Sequence, residues 1–278
     1  MKKFVFSFYM ILLGILLFPE SSYSQSSFLE RFEFGVSGGL ALPIGVFSDV
    51  HVASSLEQLD QYRWIRGFVK ESGGQAIKGT SINLDLKYYI SDNIFISLSY
   101  IRNHNQINTQ PQQDYYDENS RFITDEWGNE REFPGYLSSE DYSLNAYLLG
   151  LGYRFPVKKF EFSVAGQIGR NSLQFPFYVW AFGLSDQISL LLRPRGVYEP
   201  LPTNMEAVSY GLQFNGAYPI TNRLKTNLNL SYLRSDHPHS YWTTTLGASN
   251  EFFIEDNIKY RVLALRLGLS YSLNSINR

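Results

Sequence analysis

The sequence contains no cysteine, which excludes disulfide bonds, thiolate metal sites and a lipid-anchored cysteine. Beyond the first two dozen residues it also lacks any charge-free apolar run of the roughly 20 residues that a transmembrane helix needs. Its 24 Lys and Arg are outnumbered by 26 Asp and Glu, and no basic stripe is present to collect phosphates. We therefore expect no disulfide framework, no helical anchor and no nucleic-acid partner.

The first 24 residues have the organisation of a secretory signal peptide. Lys2 and Lys3 form a basic start, residues 4–18 are almost wholly apolar, and Ser22-Tyr23-Ser24 has the small-x-small pattern of a cleavage site. We expect cleavage after Ser24, export from the cytoplasm and a mature domain of residues 25–278. Because that domain has no cysteine, its stability must come from backbone hydrogen bonds and packing.

Period-two alternation of apolar and polar residues dominates the mature chain. In a β-strand this alternation sends successive side chains to opposite faces. Eight segments show it, namely residues 32–44, 82–90, 94–101, 147–155, 160–168, 208–220, 224–232 and 263–273. Aromatic residues make up 16% of the chain although its mean hydropathy is only -0.20, a combination typical of strands that carry aromatic girdles at two membrane interfaces.

Short and long connections alternate strictly between these segments. The short turns lie at residues 91–93, 156–159 and 221–223, and the long polar connections at 45–79, 102–141, 170–206 and 234–257. An outer-membrane barrel has short periplasmic turns and long extracellular loops, whereas a soluble sandwich has no reason to place every long loop at one end. The pattern predicts an all-β fold, an antiparallel up-and-down transmembrane β-barrel of eight strands with both chain ends on the short-turn side.

The two faces of the predicted strands differ in charge and size. One face carries Leu, Ile, Val, Phe and Tyr, which suits contact with lipid, and the other carries Gly, Ser, Asn and charged residues. The predicted lumen charges are Glu33, Asp85, Lys87, Arg154, Glu161, Lys225 and Arg266. An eight-stranded barrel is just wide enough for side chains to fill it, and unpaired buried charge is costly. We therefore expect paired charges, a plugged interior and no general-diffusion pore.

Three strand motifs carry a resemblance to known outer-membrane barrels: residues 34–40 (FGVSGGL), 149–155 (LGLGYRF) and 267–273 (LGLSYSL). With the signal peptide, they make the chain resemble the PorT-like β-barrels of Bacteroidota and, more loosely, the eight-stranded OmpA and OmpX barrels. The resemblance implies an integral outer-membrane protein, non-enzymatic in most members. The chain departs from such barrels in running on to Arg278 instead of ending in an aromatic residue, so Tyr271 is the candidate for that role.

Two polar segments could carry chemistry. Asp236, His237, His239 and Ser240 follow the seventh strand, and a hydrolase could use a serine, a histidine and a carboxylate there. Because Pro238 interrupts the segment and Ser240 directly follows His239, an exposed loop is the favoured interpretation, ahead of catalysis or a weak metal site. The second long loop is acidic but lacks the spacing of a preformed Ca²⁺ loop, so we expect a solvated surface.

The third long loop is unusually apolar. Partner-binding candidates are Phe175, Phe177, Tyr178, Trp180 and Phe182, and residues 188–192 are also apolar. Three alternatives stay open: packing into the barrel mouth, an extra strand pair turning at residues 185–187 that widens the barrel to ten strands, or a docking patch for a protein or lipid.

These observations predict a non-enzymatic integral protein of the cell outer membrane with a binding, structural or secretion-accessory role exerted through its extracellular loops. The alternatives are a lipid- or peptide-modifying hydrolase and a narrow solute channel. No cofactor is expected. The predicted partners are outer-membrane lipid and, through residues 170–206, another outer-membrane or secretion protein.

Overall fold

The computed structural model describes residues 28, 30–49, 74–119, 122–124, 128–132, 135–174, 178–182, 189–192, 204–244 and 251–273. The barrel strands are β1 (Phe32–Pro43), β2 (Ala76–Tyr89), β3 (Ile94–Ile107), β7 (Tyr142–Val157), β8 (Phe160–Gln174), β11 (Asn204–Pro219), β12 (Leu224–Thr244) and β13 (Glu251–Ser272). The remaining elements are a 3-10 helix (Gly45–Phe47), α1 (Gln110–Asn119), β4 (Phe122–Thr124), β5 (Glu130–Glu132), β6 (Gly135–Ser139), β9 (Tyr178–Phe182) and β10 (Ser189–Leu192). The predicted signal peptide lies outside the described residues.

Eight antiparallel strands close into one barrel. Around the circumference the order is β1-β13-β12-β11-β8-β7-β3-β2. Each barrel strand therefore pairs with the barrel strands that come before and after it in the chain, and β1 pairs with β13 to close the barrel. The ladder between β1 and β13 runs from Glu33 opposite Ser272 to Pro43 opposite Val262. This confirms the predicted up-and-down barrel of eight strands, and the ten-stranded alternative is wrong for the barrel wall.

The short connections lie at one end of the barrel, as the alternation predicts. The tightest contains only Lys158 and Lys159, because Pro156 continues β7 opposite Glu161 instead of opening the turn as the sequence suggested. Lys158 has a φ of 56°, the left-handed conformation that two-residue hairpin turns require.

At the other end the strands run well past their predicted ends. The third segment was expected to end at Ile101, yet β3 continues to Ile107, and the seventh was expected to end at Tyr232, yet β12 continues to Thr244. From the predicted ends onward the apolar side chains change to the inward face: Ile101, Ile107 and Leu233 are buried inside the barrel. The long loops are therefore shorter than predicted, and part of each is barrel wall.

Three short strands from the second and third loops form a sheet beyond the loop-side end of β7 and β8. Ser143 pairs with Gln174 at the end of the β7–β8 ladder, and four residues further along both strands Ser139 pairs with Tyr178 in the β6–β9 ladder. β10 then pairs with the other edge of β9, which gives a three-stranded sheet separate from the barrel. We call β6, β9 and β10 the blade. The predicted extra strand pair exists, but it builds the blade and leaves the barrel at eight strands.

The β12–β13 hairpin also projects beyond the barrel. Its ladder is unbroken from Leu224 opposite Tyr271 to Thr244 opposite Glu251. The pairing of β12 with β11 ends at Ser235, and that of β13 with β1 ends at Val262. Residues 236–244 and 251–261 therefore form a two-stranded ribbon, and Pro238 within it has no N–H to offer a further strand.

The second loop contributes α1 and the small β4–β5 sheet. Among the described residues, none of the helices combines the length and apolar character that crossing a bilayer demands.

Candidate functional site

The outer surface of the barrel carries an apolar belt. Its large exposed side chains come from every barrel strand and include Phe34, Val36, Leu40, Ile82, Leu84, Ile94, Ile96, Tyr147, Leu149, Leu151, Tyr153, Phe160, Val164, Ile168, Val208, Tyr210, Leu212, Phe214, Tyr218, Leu228, Leu230, Leu265, Leu267, Leu269 and Tyr271. Leu151 and Leu267 expose 63% and 69% of their surface. Soluble monomers rarely expose a continuous apolar surface of this extent, so the belt requires a covering medium.

The height of the belt matches a membrane crossing. On β11 the outward residues of the belt run from Val208 to Tyr218, ten residue steps that span about 33 Å along a strand and about 25 Å when the strand is tilted as in membrane barrels. Tyrosines lie at both limits of the belt, with Tyr147 and Tyr210 toward the loops and Tyr153 and Tyr218 toward the turns. Tyrosine suits such interfaces because its ring is apolar and its hydroxyl is polar.

Inside the barrel, five charged side chains form a continuous chain near the short-turn end. Lys87 Nζ lies 3.0 Å from Glu33 Oε1, and Lys225 Nζ lies 2.7 Å from Glu33 Oε2. Lys225 Nζ also lies 3.0 Å from Glu161 Oε2, which Arg154 Nη1 approaches to 3.4 Å. We call Lys87, Glu33, Lys225, Glu161 and Arg154 the ion chain. Cations and carboxylates alternate along it, so each buried charge has a partner, as its burial requires.

Asp85 lies in a polar layer adjoining the ion chain. Its carboxylate accepts hydrogen bonds from Ser99 Oγ at 2.5 Å, from Asn83 Nδ2 at 2.6 Å and from Gln213 Nε2 at 3.2 Å. Gln167 Nε2 donates to Ser99 Oγ and to Gln213 Oε1, at 2.8 and 3.0 Å. Since these residues come from strands on different sides of the barrel, the hydrogen bonds cross the lumen.

Arg266 lies in the same polar layer without an ion-pair partner among the described residues. It is 1% exposed, its Nε donates to Ser81 Oγ at 2.6 Å and its Nη1 donates to Asn229 Oδ1 at 2.9 Å. Of the seven charges predicted to line the lumen, the structure thus joins five in the ion chain and binds Asp85 and Arg266 through neutral groups.

Toward the loops the lumen becomes apolar. We call this part the loop-side core, formed by Ala41, Phe47, Ala76, Ile101, Ile107, Tyr142, Leu144, Ala146, Leu148, Leu173, Met205, Leu233, Ile258, Tyr260 and Val262. Phe47, on the 3-10 helix, inserts its ring 4.7 Å from that of Tyr260 and 5.1 Å from that of Tyr142. The loop-side end therefore resembles a soluble barrel, with an apolar interior and a polar exterior, and Phe47 fills it.

The histidine segment gives a different pairing from the one considered in the sequence. Among the described residues the carboxylate of Asp236 contacts arginines and no histidine: it lies 2.7 Å from Arg261 Nη2 and 3.5 Å from Arg234 Nη2. Burial raises the pKa of this carboxyl, but the hydrogen bond and charge of Arg261 and the charge of Arg234 outweigh it and lower the pKa below its usual value. The side chains of His239 and Ser240 lie outside the described part of the chain.

A serine and a histidine that sequence analysis did not pair do meet. Ser235 Oγ lies 2.9 Å from His237 Nε2 and accepts a hydrogen bond from Asn171 Nδ2 at 2.6 Å. They are two apart on one strand face, a spacing that strand periodicity could have revealed. Ser235 is 1% exposed and His237 0%, so no substrate reaches this pair, and it joins barrel strands together.

The apolar loop residues proposed for partner binding are only partly described. Phe175 and Phe177 lie outside the described residues, and Tyr178, Trp180 and Phe182 are placed on β9 of the blade by their backbone. The structure thus puts three of the five on one strand in the middle of a sheet outside the barrel.

The acidic second loop is partly helical. On α1, Asp114 accepts a hydrogen bond from Gln110 Nε2 at 2.7 Å and Asp117 accepts one from Gln113 Nε2 at 3.2 Å. No group of three or more candidate metal ligands occurs in the described portion of the chain.

No protein-family model and no curated protein matches the chain. Among solved structures it is similar to neisserial surface protein A, with 11% identity, a TM-score of 0.43 and coverage of 87% of this chain and 97% of that one. It is also similar to outer membrane protein OprG from Pseudomonas aeruginosa, with 16% identity, a TM-score of 0.44 and coverage of 86% of this chain and 94% of that one. Outer membrane protein AlkL is similar too, with 15% identity, a TM-score of 0.36 and coverage of 87% of this chain and 90% of that one. The assignment of this chain as a closed eight-stranded antiparallel barrel rests on its own strand pairing.

Proposed function

We propose that the chain is an integral outer-membrane β-barrel protein whose plugged barrel anchors the blade and the β12–β13 ribbon at the cell surface, where they have a binding, structural or secretion-accessory role. The observation that supports this most strongly is the distribution of apolar and polar side chains: the belt on the outside is apolar, while the lumen behind it is charged and hydrogen-bonded. A soluble barrel has the opposite arrangement, because water covers its outer face. The resemblance to PorT-like barrels agrees with this role.

The proposed role is non-enzymatic. The ion chain and the loop-side core occupy opposite ends of the lumen, which speaks against a channel. The serine–histidine contact found among the described residues, Ser235–His237, is buried and so lends no support to a hydrolase. Among the described residues, the blade and the ribbon extend beyond the belt as sheets. Such projections suit contact with a macromolecule, because their outermost strands offer unpaired backbone groups.

Membrane insertion is tested by a charge placed in the belt. Leu212 is 60% exposed at mid-belt on β11, and an arginine near the bilayer midplane costs roughly 2–4 kcal/mol. Leu212→Arg should lower the yield of heat-modifiable, protease-resistant protein refolded in phosphatidylcholine vesicles. Glu206→Arg, on the same strand beyond the belt, is the matched control and should refold like the unmodified chain. A mature chain that stays soluble and monomeric without detergent would overturn the proposal.

The role of the loops is tested by deleting the blade strands of the third loop. Removing residues 175–192 leaves β8 and β11 paired from Gln174 opposite Asn204 onward, so the barrel should stay heat-modifiable. Proteins that copurify with the full chain from native outer membranes should be lost. Unchanged copurification would exclude the third loop as the binding surface.

A further inference from the structure

Arginines mark the loop-side limit of the belt. On four of the eight strands the first outward-facing residue beyond the belt is an arginine: Arg102 on β3, Arg170 on β8, Arg234 on β12 and Arg261 on β13. Among the described residues, the acidic side chains near this level are Glu206 on β11 and Asp236 on β12. This level of the surface is therefore strongly cationic, directly above the side chains that face lipid.

Two of these arginines are already engaged and two are not. Arg234 and Arg261 share the carboxylate of Asp236, and Arg261 Nη1 also donates to the carbonyl oxygens of Ser235 and Tyr260, at 2.8 Å each. Arg102 and Arg170 are exposed and have no ion pair or hydrogen bond within the described residues. Within the part of the chain that the structure describes, no acidic side chain competes with a ligand for their guanidinium groups.

The two available arginines flank a single strand. Arg102 pairs across β3–β7 with Asn145, and Arg170 pairs across β7–β8 with Tyr147. Two strand spacings sideways and two residues along the strand separate their Cα atoms by about 12 Å. Each arginine side chain is long enough to cover half of that distance, so both guanidinium groups can approach one anionic group lying over β7.

The surface between them has an aromatic floor and a free amide. The rings of Tyr100 and Tyr147 lie 5.1 Å apart, and Tyr100 Oη donates to Asn145 Oδ1 at 2.8 Å. That bond orients the Asn145 amide, whose Nδ2 has no hydrogen-bond partner among the described residues. Below Tyr147 the surface continues into the belt through Leu149 and Ile168.

We propose that Arg102, Arg170, Asn145, Tyr100 and Tyr147 form a binding site for a phosphate-bearing lipid headgroup of the outer leaflet. Two guanidinium forks and one amide N–H match the oxygens of a phosphate group, and arginine pairs with phosphate through two parallel hydrogen bonds. The acyl chains of the same molecule continue down the belt, which a soluble anion could not use. This inference rests on the proposed membrane insertion and adds a lipid class and its ligating residues.

The test is lipid A binding by the folded mature chain in detergent micelles, with bisphosphorylated lipid A as the probe. Replacing both arginines (Arg102→Gln with Arg170→Gln) should weaken binding about 10- to 30-fold, since each cation near a membrane surface contributes about 1 kcal/mol. The affinity of the Arg102→Lys, Arg170→Lys variant should lie between those of the unmodified chain and the glutamine variant, because lysine keeps the charge and loses the two parallel hydrogen bonds of the guanidinium group. The matched control is Lys158→Gln with Lys159→Gln at the short-turn end, which should bind within about twofold of the unmodified chain.

Two further arms identify the source of the phosphate. Lipid A stripped of its phosphates should bind the unmodified chain as weakly as intact lipid A binds the glutamine variant, and inorganic phosphate should not displace bound lipid A. Equal binding by the glutamine variant and the unmodified chain would overturn the site, and displacement by inorganic phosphate would overturn its assignment to lipid. Insertion into vesicles is scored separately: a chain that inserts but shows no arginine dependence refutes the headgroup site alone, whereas one that does not insert refutes the proposed function.

Discussion

Removing the central carboxylate of the ion chain should strongly destabilise the barrel. Glu33 neutralises both Lys87 and Lys225, and the side chains of all three are at most 9% exposed. In Glu33→Gln, Lys225 keeps Glu161 at 3.0 Å, but Lys87 loses its ion-pair partner among the described residues, and the ring of Phe95, whose centre lies 5.5 Å away, does not replace a full negative charge. The ion chain then has three cations against one carboxylate.

The magnitude follows from the cost of an unpaired buried charge. Breaking a buried ion pair by removing one partner typically costs about 3–5 kcal/mol. Because glutamine retains one oxygen that accepts a hydrogen bond, we expect Glu33→Gln to lower the free energy of unfolding by about 2–4 kcal/mol. The measurement is urea unfolding of the protein refolded in phosphatidylcholine vesicles, followed by tryptophan fluorescence and by heat-modifiable mobility.

Two variants separate charge pairing from general damage. Glu30 is exposed at the same end of the barrel, so Glu30→Gln should change the free energy of unfolding by less than about 0.5 kcal/mol. Adding Lys87→Met to Glu33→Gln removes the orphaned cation and should restore more than half of the loss, since apolar side chains replace buried ion pairs well. A Glu33→Gln protein as stable as Glu30→Gln would refute the assignment of the ion chain as a stabilising plug.

Three other outcomes follow from the geometry. A methyl group at Gly152 would overlap the inward-facing Phe95 ring, whereas one at Gly166 meets open space. In the same urea assay, Gly152→Ala should lower the free energy of unfolding by about 1–3 kcal/mol and Gly166→Ala should leave it almost unchanged. Arg261 lowers the pKa of Asp236 in the folded protein, so this ion pair stabilises the ribbon fully above the pKa of the unfolded chain, about 3.9, and the stabilisation is lost as the pH falls through the lower pKa of the folded protein. Hydrogen exchange in the ribbon should therefore accelerate only below about pH 4. Asp236→Asn should abolish that pH dependence. Planar-bilayer recordings should show no large stable conductance steps, and stable large steps would contradict a plugged lumen.

The strand ends show where reasoning from periodicity reaches its limit. Within the belt, lipid outside and polar groups inside keep the alternation in one phase, so the turn-side ends at Tyr89, Ile94 and Leu224 lie within a residue of their predicted positions. Beyond the belt, water replaces lipid and the apolar side chains change faces. A strand that continues through this boundary looks, in the sequence, like a strand that ends.

The apolar third loop shows a second limit. Residues 178–182 and 189–192 lack alternation, which counted against an added strand pair in the sequence, yet they form β9 and β10. Their position depends on β6, a segment from a different loop that continues the register of β7. No local pattern specifies a partner about 40 residues away in another loop, so the pairing of β9 with β6 could not be predicted.

The sequence by itself determined the antiparallel order of the barrel strands and the face each strand turns outward, because those properties follow from local alternation and from the lengths of the connections. It left eight and ten strands open, and the closed ladder of the structure decided for eight. The sequence also predicted seven charged residues for the inward faces of the strands. Only the tertiary structure decided which of them touch, that Lys225 bridges Glu33 and Glu161 while Arg266 binds neutral groups, and that Arg102 and Arg170 flank one strand. Those contacts depend on the closure and stagger of the barrel, which bring side chains together from strands far apart in the chain.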